Sequence, residues 1–90
     1  MFLVVAYDIS DDRRRDRLAR ELENWGQRVQ GSVFECDLDE ARTAALIDRL
    51  NRMVKDGDDL RVYHLCQACL NKSLVVRGGD FAVDQGFYQV

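Results

Sequence analysis

Apolar and polar residues recur with two different periods along the chain, and the points where the period changes mark its elements. Phe2-Leu3-Val4-Val5-Ala6-Tyr7 is a near-continuous apolar run that ends at Asp8. A run of this kind reads as a buried strand, with its terminal acid at the rim of the core. Ser10 or Asp11 can cap a following helix, and Asp11, Asp12 and Asp16 suit its positive end. Leu18, Leu22 and Trp25 recur at helical spacing with Ala19 beside them, so this stripe faces the core, and Gly26 is placed to end the helix. Residues 28–36 read as a strand whose alternation breaks. Val29 and Val33 share one face while Phe34 and Cys36 share the other, which predicts a bulge or bend near Gly31. Leu38 and Asp39 open a second helix with the stripe Leu46, Ile47, Leu50, Met53 and Val54, and Gly57 ends it. Residues 60–65 are strongly strand-prone, and residues 73–76 form a further short strand. Gly78-Gly79-Asp80 is a turn signal, and residues 81–83 are a candidate last strand.

The order so written is β-α-β-α-β-β. The ferredoxin-like split pattern is β-α-β-β-α-β. The two agree if the segment 28–36 bends at Gly31, or pairs so that it serves as a strand plus its turn. The expected fold is therefore α+β: a four-stranded antiparallel sheet with both helices on one face, over residues 1–78. Residues 79–90 read as a C-terminal strand or tail that can leave the domain and pair with another chain.

Ninety residues make one small domain with a modest core, for which dimerisation is a natural supplement. Hydrophobic content of 47% with 32% charge fits a globular chain and excludes a disordered one. The apolar runs are far too short to span a bilayer, and the first strand begins at the N-terminus, which points to a cytoplasmic protein without a membrane association. Cys36, Cys66 and Cys69 are an odd count that does not suggest a disulfide framework. Cys66-Gln67-Ala68-Cys69 with His64 and Cys36 has the donor types of a zinc site, but a strand-end histidine and ordinary free thiols are the simpler reading. A net charge of −3 is unusual for a nucleic-acid protein. Its distribution matters more. Arg13, Arg14, Arg15, Arg17 and Arg20 oppose only Asp16 within their stretch, while acids gather at Asp37, Asp39 and Glu40 and again at Asp56, Asp58 and Asp59. Such a ridge binds phosphates locally, or is a solvated helix face laced with ion pairs.

Several of these residues together resemble a known family. Tyr7-Asp8-Ile9-Ser10-Asp11-Asp12, then Arg15 and Arg17, then Gly26-Gln27-Arg28-Val29-Gln30 and Ser32-Val33-Phe34-Glu35-Cys36 are similar to the CRISPR-associated endoribonuclease family Cas2. The detailed match covers roughly the first 40 residues, and the part from Leu70 onward carries little of it. The resemblance implies a ferredoxin-like fold and a homodimer whose last strand crosses to the partner's sheet. It implies that Asp8 is the family's strand-end aspartate, two copies of which face each other across the dimer axis and hold a divalent metal. Arg15, Arg17 and Arg28 fall on its basic residues, and Tyr7 and Phe34 on its strand-end aromatics. Gly31 departs from the pattern, since the family often carries a bulky residue there.

The residues themselves allow the same chemistry. One carboxylate per chain makes no adequate cage for a hard cation, but magnesium keeps waters and takes one or two carboxylates plus substrate phosphate oxygens. Two symmetry-related Asp8 side chains meet that need for Mg2+ or Mn2+, and a metal there activates water for phosphodiester hydrolysis. With His64 as the sole histidine, a two-histidine ribonuclease mechanism is excluded. The arginines would position a strand by its phosphates without reading sequence. Each assignment has a plainer counterpart: Asp8 and Ser10 as helix-cap residues, Tyr7 and Phe34 as core aromatics. The leading expectation is a metal-dependent endonuclease of the spacer-acquisition machinery acting on RNA or DNA, with Asp8 and Tyr7 catalytic and Ser10, Arg15, Arg17, Arg28 and Phe34 on nucleic acid. The alternative is a non-catalytic DNA-binding scaffold that bridges Cas1 integrase dimers. A small-ligand module, or a ribonuclease toxin like virulence-associated protein D, stands further back, since Gly78-Gly79 is the sole glycine pair and reads as a turn.

Overall fold

The chain reverses at Gly31 and Ser32, and this hairpin decides the topology. The computed structural model describes residues 1–83. Its elements are β1 (Phe2–Asp8), α1 (Asp12–Glu23), β2 (Gln27–Gln30), β3 (Val33–Asp37), α2 (Glu40–Met53), β4 (Asp59–Leu65) and α3 (Gln67–Lys72). The four strands form one antiparallel sheet in the order β2-β3-β1-β4. The single bent strand expected over 28–36 is thus two strands. Their register slips between Arg28 and Gln30, opposite Phe34 and Val33, so Val29 is bulged out. The bulge and the hairpin together account for the switch of faces in the apolar pattern. The order through β4 becomes β-α-β-β-α-β, the split arrangement of ferredoxin-like folds.

Register places Leu3 beside Cys36, Val5 beside Phe34 and Val62, and Tyr7 beside Leu60. These residues share one sheet face. Leu18, Ala19 and Leu22 of α1 and Leu46 and Leu50 of α2 pack on that face in a single core, so both helices lie on one side. The other face carries Phe2, Val4, Ala6, Val33, Glu35 and Tyr63, away from the core that α1 and α2 form.

Local chemistry sets the helix ends. Asp11, not Ser10, caps α1: its carboxylate accepts from the amides of Arg13 and Arg14 at 3.0 and 3.1 Å. Asp39 caps α2 in the same way through the Arg42 amide. Gly26 does not end α1, which stops at Glu23 with Asn24 as its C-cap. The glycine answers a packing demand instead. A Cβ there would stand 2.2 Å from the Glu35 carbonyl oxygen and 2.5 Å from the Cys36 sulfur. Gly57 likewise lies beyond the helix, since α2 stops at Met53. It takes a positive φ of 91° in the α2–β4 turn, a conformation that glycine adopts without steric cost.

That turn holds an ion pair invisible to periodicity. Arg14 donates through Nε and Nη2 to the two oxygens of Asp58 at 2.6 and 2.8 Å, and Asp58 also accepts from the Lys55 amide. The Asp58 side chain is only 3% exposed. The Arg14 guanidinium, then the Lys55 amide, hold its carboxyl below the usual range. A depressed folded-state pKa adds stability above the unfolded value and loses it as pH falls through the folded one. Thermal midpoints are therefore expected to fall from about pH 4 downward, and Asp58→Asn should lower the midpoint at neutral pH by on the order of 5 °C and flatten its acid dependence. An unchanged acid profile in this variant would remove Asp58 from the account.

Two expected strands are absent. Residues 66–72 turn into α3, capped by Cys66 and anchored by buried Leu70. Residues 73–76 are irregular, with Leu74 and Val76 73% and 91% exposed. They have strand propensity but pair with no strand among the described residues, and propensity alone makes no ladder. Residues 81–83 are also irregular. The Phe81 ring meets Phe2 edge-on at 6.0 Å, and the Ala82 amide donates to Glu35 at 3.0 Å, so this segment covers one end of the open face. Residues 84–90, most of the expected exchanged strand, lie outside the described residues. Among the described residues no helix is long and apolar enough to cross a membrane.

Candidate functional site

Asp8 closes β1 where the strand leaves the sheet. Alternation puts it on the face of Val4 and Ala6, opposite Tyr7. Its side chain is exposed and makes no hydrogen bond or ion pair among the described residues. The register sets Asp59 directly across from it on β4, with Arg61 opposite Ala6. Arg61 grips Asp59 through Nε and Nη2 at 3.0 and 3.2 Å. This contact holds the Asp59 carboxyl below its usual range. Asp59 is thus already neutralised, and Asp8 is left as the carboxylate with no partner in this corner.

The same corner receives Arg15. Its Nη1 donates to the Ile9 carbonyl at 3.1 Å, one residue past Asp8, and its Nη2 pairs with Asp12. A cation is thereby anchored at the exit of β1. Ser10 lies exposed between Asp8 and the capping Asp11. Arg17 stands elsewhere, on the solvent face of α1 with Arg13 and Arg20. None of these three guanidinium groups makes a hydrogen bond or ion pair among the described residues. Arg28 is on β2, two strands away, with its guanidinium 5.3 Å from the centroid of the Phe34 ring. The fold therefore brings Asp8, Ser10 and Arg15 together and leaves Arg17 and Arg28 at separate positions.

Two of the expected site residues have their rings in the core. Phe34 is fully buried. It stacks on Tyr7 at 6.4 Å beneath Arg28, so no face of its ring is open to a base. Tyr7 is 5% exposed, and its hydroxyl donates to the Gly31 carbonyl at 3.4 Å. Its phenol lies in the core on the side opposite Asp8, where it ties the β2–β3 hairpin to β1. Gly31 itself has open space around it, so a bulkier side chain would stand in solvent beside the Asp8 corner.

The donor set fits a hard cation shared with other ligands. Asp8 presents two free oxygens, and no group of three or more metal-ligating side chains gathers among the described residues. A metal held there draws its remaining ligands from water, phosphate or a second chain. Cys36 belongs to the core, and burial pushes its thiol up to about 11, so it joins no site with Cys66 and Cys69. Reasoning from the sequence missed the Asp59–Arg61 pair beside Asp8, because only the β1–β4 register reveals it.

The family described as CRISPR associated protein Cas2 matches residues 1–73. The chain belongs to that family. This Cas2 chain is 47% identical over 81 residues to the CRISPR-associated endoribonuclease Cas2 1 of Chloroflexus aurantiacus, covering 88% of its own length and 87% of the relative's. Its fold is similar to that of Streptococcus pyogenes Cas2, with a TM-score of 0.72 and 28% identity over 86% of this chain and all of the other. A chain of a partial Cas6-RT-Cas1–Cas2 complex matches with a TM-score of 0.72, 28% identity, and coverage of 86% and 91%.

Proposed function

We propose that this chain acts as a homodimer in CRISPR spacer acquisition and hydrolyses phosphodiester bonds of RNA or DNA with Mg2+ or Mn2+. The observation that carries this reading is the unpaired Asp8 carboxylate at the end of β1, with Arg15 anchored one residue away. Two copies of the uncovered sheet face, with Val4, Ala6, Val33 and Tyr63, would bring two Asp8 side chains together. Asp8 of each copy would hold the cation. When bound, the metal supplies an activated water and charge neutralisation at the phosphate. Arg15 places a phosphate at the strand exit, and the Arg61–Asp59 pair keeps a second acid from competing for the cation. Tyr7 acts as a positioning residue through the hairpin. The endoribonuclease name of the Chloroflexus relative supports the reaction class.

The test is cleavage of single-stranded RNA and of duplex DNA with magnesium, with manganese and with a chelator. Cleavage is expected with either metal and absent with the chelator. Undiminished cleavage in chelator would overturn the metal assignment.

A second role rests on a separate feature. The outer face of α1 presents Arg13, Arg17 and Arg20 with no ion pair among the described residues, a surface suited to duplex phosphates. The Cas1–Cas2 assembly of the structural relative supports a scaffold that joins Cas1 and holds DNA. Asp8 is not needed for that role. Arg17→Ala should weaken binding to duplexes of any sequence alike and reduce the magnitude of the salt slope, log Kobs against log salt, by about 1. A slope identical to the parent's would remove Arg17 from the DNA surface.

A further inference from the structure

Cys66 and Cys69 are thiols that the fold leaves outside the core and that neither proposed role uses. Both are exposed. Cys66 follows β4 and caps α3, and its sulfur accepts the Cys69 amide at 3.5 Å. The two residues are one helical turn apart. The Cys66 sulfur lies over the backbone of the residue that carries the second thiol, and a disulfide there needs Cβ atoms about 3.5–4.5 Å apart.

The pair is asymmetric. The Cys69 amide, then the Cys69 thiol, lower the Cys66 pKa below its ordinary value. Cys69 is raised in return, chiefly by its hydrogen bond to Cys66. A thiol–disulfide relay needs this arrangement: an exposed thiol that ionises first, with a second thiol beside it to resolve the intermediate. Cys36 has neither the exposure nor the neighbour.

We propose that Cys66 and Cys69 form a reversible dithiol–disulfide site whose substrates are low-molecular-weight disulfides. Cys66 loses its proton, and its thiolate attacks one sulfur of the small disulfide. The substrate S–S bond breaks, a mixed disulfide forms on Cys66, and one small thiolate leaves and takes up the proton. Cys69, deprotonated in turn, attacks the Cys66 sulfur and expels the second small thiolate, which is protonated. Two electrons and two protons pass from the protein to the small disulfide, which ends as two thiols. The product ring spans the first turn of α3. The next turn is closed by Ser73, the C-cap of α3, whose hydroxyl donates to the Cys69 carbonyl at 2.8 Å. Oxidation therefore braces the short helix from which the C-terminal segment departs.

The experiment incubates the full-length protein with glutathione and glutathione disulfide at graded ratios, followed by acid trapping, alkylation and peptide mass spectrometry. The peptide carrying both cysteines is expected to lose two hydrogens in one two-electron transition. Cys69→Ser should accumulate a glutathione adduct on Cys66, and Cys66→Ser, which keeps a good helix cap, should form no bridge and only a slower adduct on the exposed Cys69. Cys36 should alkylate only after denaturation. Hydrogen exchange at the amides of Leu70 and Ser73 should slow several-fold in the oxidised form. Thiols that stay reduced in glutathione disulfide alone, an unresolved adduct on the unmodified sequence, or bridges between chains would overturn the site. Unchanged exchange would overturn the bracing.

Discussion

Asp8→Asn is expected to reduce metal-dependent cleavage by on the order of 100-fold or more, with no loss of fold. The substitution keeps the shape of the side chain and removes its charge. Because the carboxylate is exposed and makes no contact among the described residues, its loss leaves nothing unsatisfied. The thermal midpoint should stay within about 2 °C of the parent's, as is usual for surface substitutions. Asp16→Asn, another exposed acid near the arginines, serves as the control and should cleave normally. Cleavage should be compared at several metal concentrations, because a weakened metal site is partly restored by excess cation. Full activity of Asp8→Asn would sink the nuclease reading. It would leave the arginine face of α1, and with it the scaffold role, untouched.

The largest effect on stability is expected at Gly26. Gly26→Ala places a methyl group 2.2 Å from a backbone oxygen of β3 and 2.5 Å from the buried Cys36 sulfur. Neither neighbour is a flexible side-chain end, so the α1–β2 connection must move off the sheet. Overpacking of this kind costs about 3 kcal/mol. In a domain of this size that corresponds to a midpoint lowered by roughly 15 °C. Gly31→Ala is the matched control. It adds the same methyl group where nothing lies within 4 Å, and it should melt within about 2 °C of the parent. Protein concentration must be held equal, because a dimer's midpoint depends on it. A Gly26→Ala protein that melts like Gly31→Ala would mean that the contact relaxes at little cost.

These glycines illustrate what a sequence conveys and what it withholds. Near the end of a helix Gly26 reads as a terminator, a local role. Its actual constraint comes from β3, nine residues further on, and only the folded sheet supplies it. The strand β1, both helices, the Asp39 cap and the acid at the strand end were legible, because each follows from local period and capping chemistry. The hairpin was half legible: the change of faces near Gly31 signalled an irregularity, but not that one strand was two. The Asp8 corner was legible in its acid and in Arg15. Asp59 and Arg61 were not, because they reach Asp8 through register. Tyr7 and Phe34 were ambiguous for a related reason, since a strand-end aromatic reads the same whether its ring faces core or solvent. Residues 73–76 misled because strand propensity does not say whether a partner strand exists.

The clamp between Arg14 and Asp58 has a mechanical consequence. Arg14 belongs to the helix that displays the exposed arginines Arg13, Arg17 and Arg20, and Asp58 adjoins the residue that pairs across the sheet with Asp8. A single peptide unit thus sets the spacing between the basic helix and the acidic corner. On the proposed reading, a polynucleotide that touched both would meet a fixed gauge, with the distance from gripped phosphate to scissile bond set before any ligand arrives.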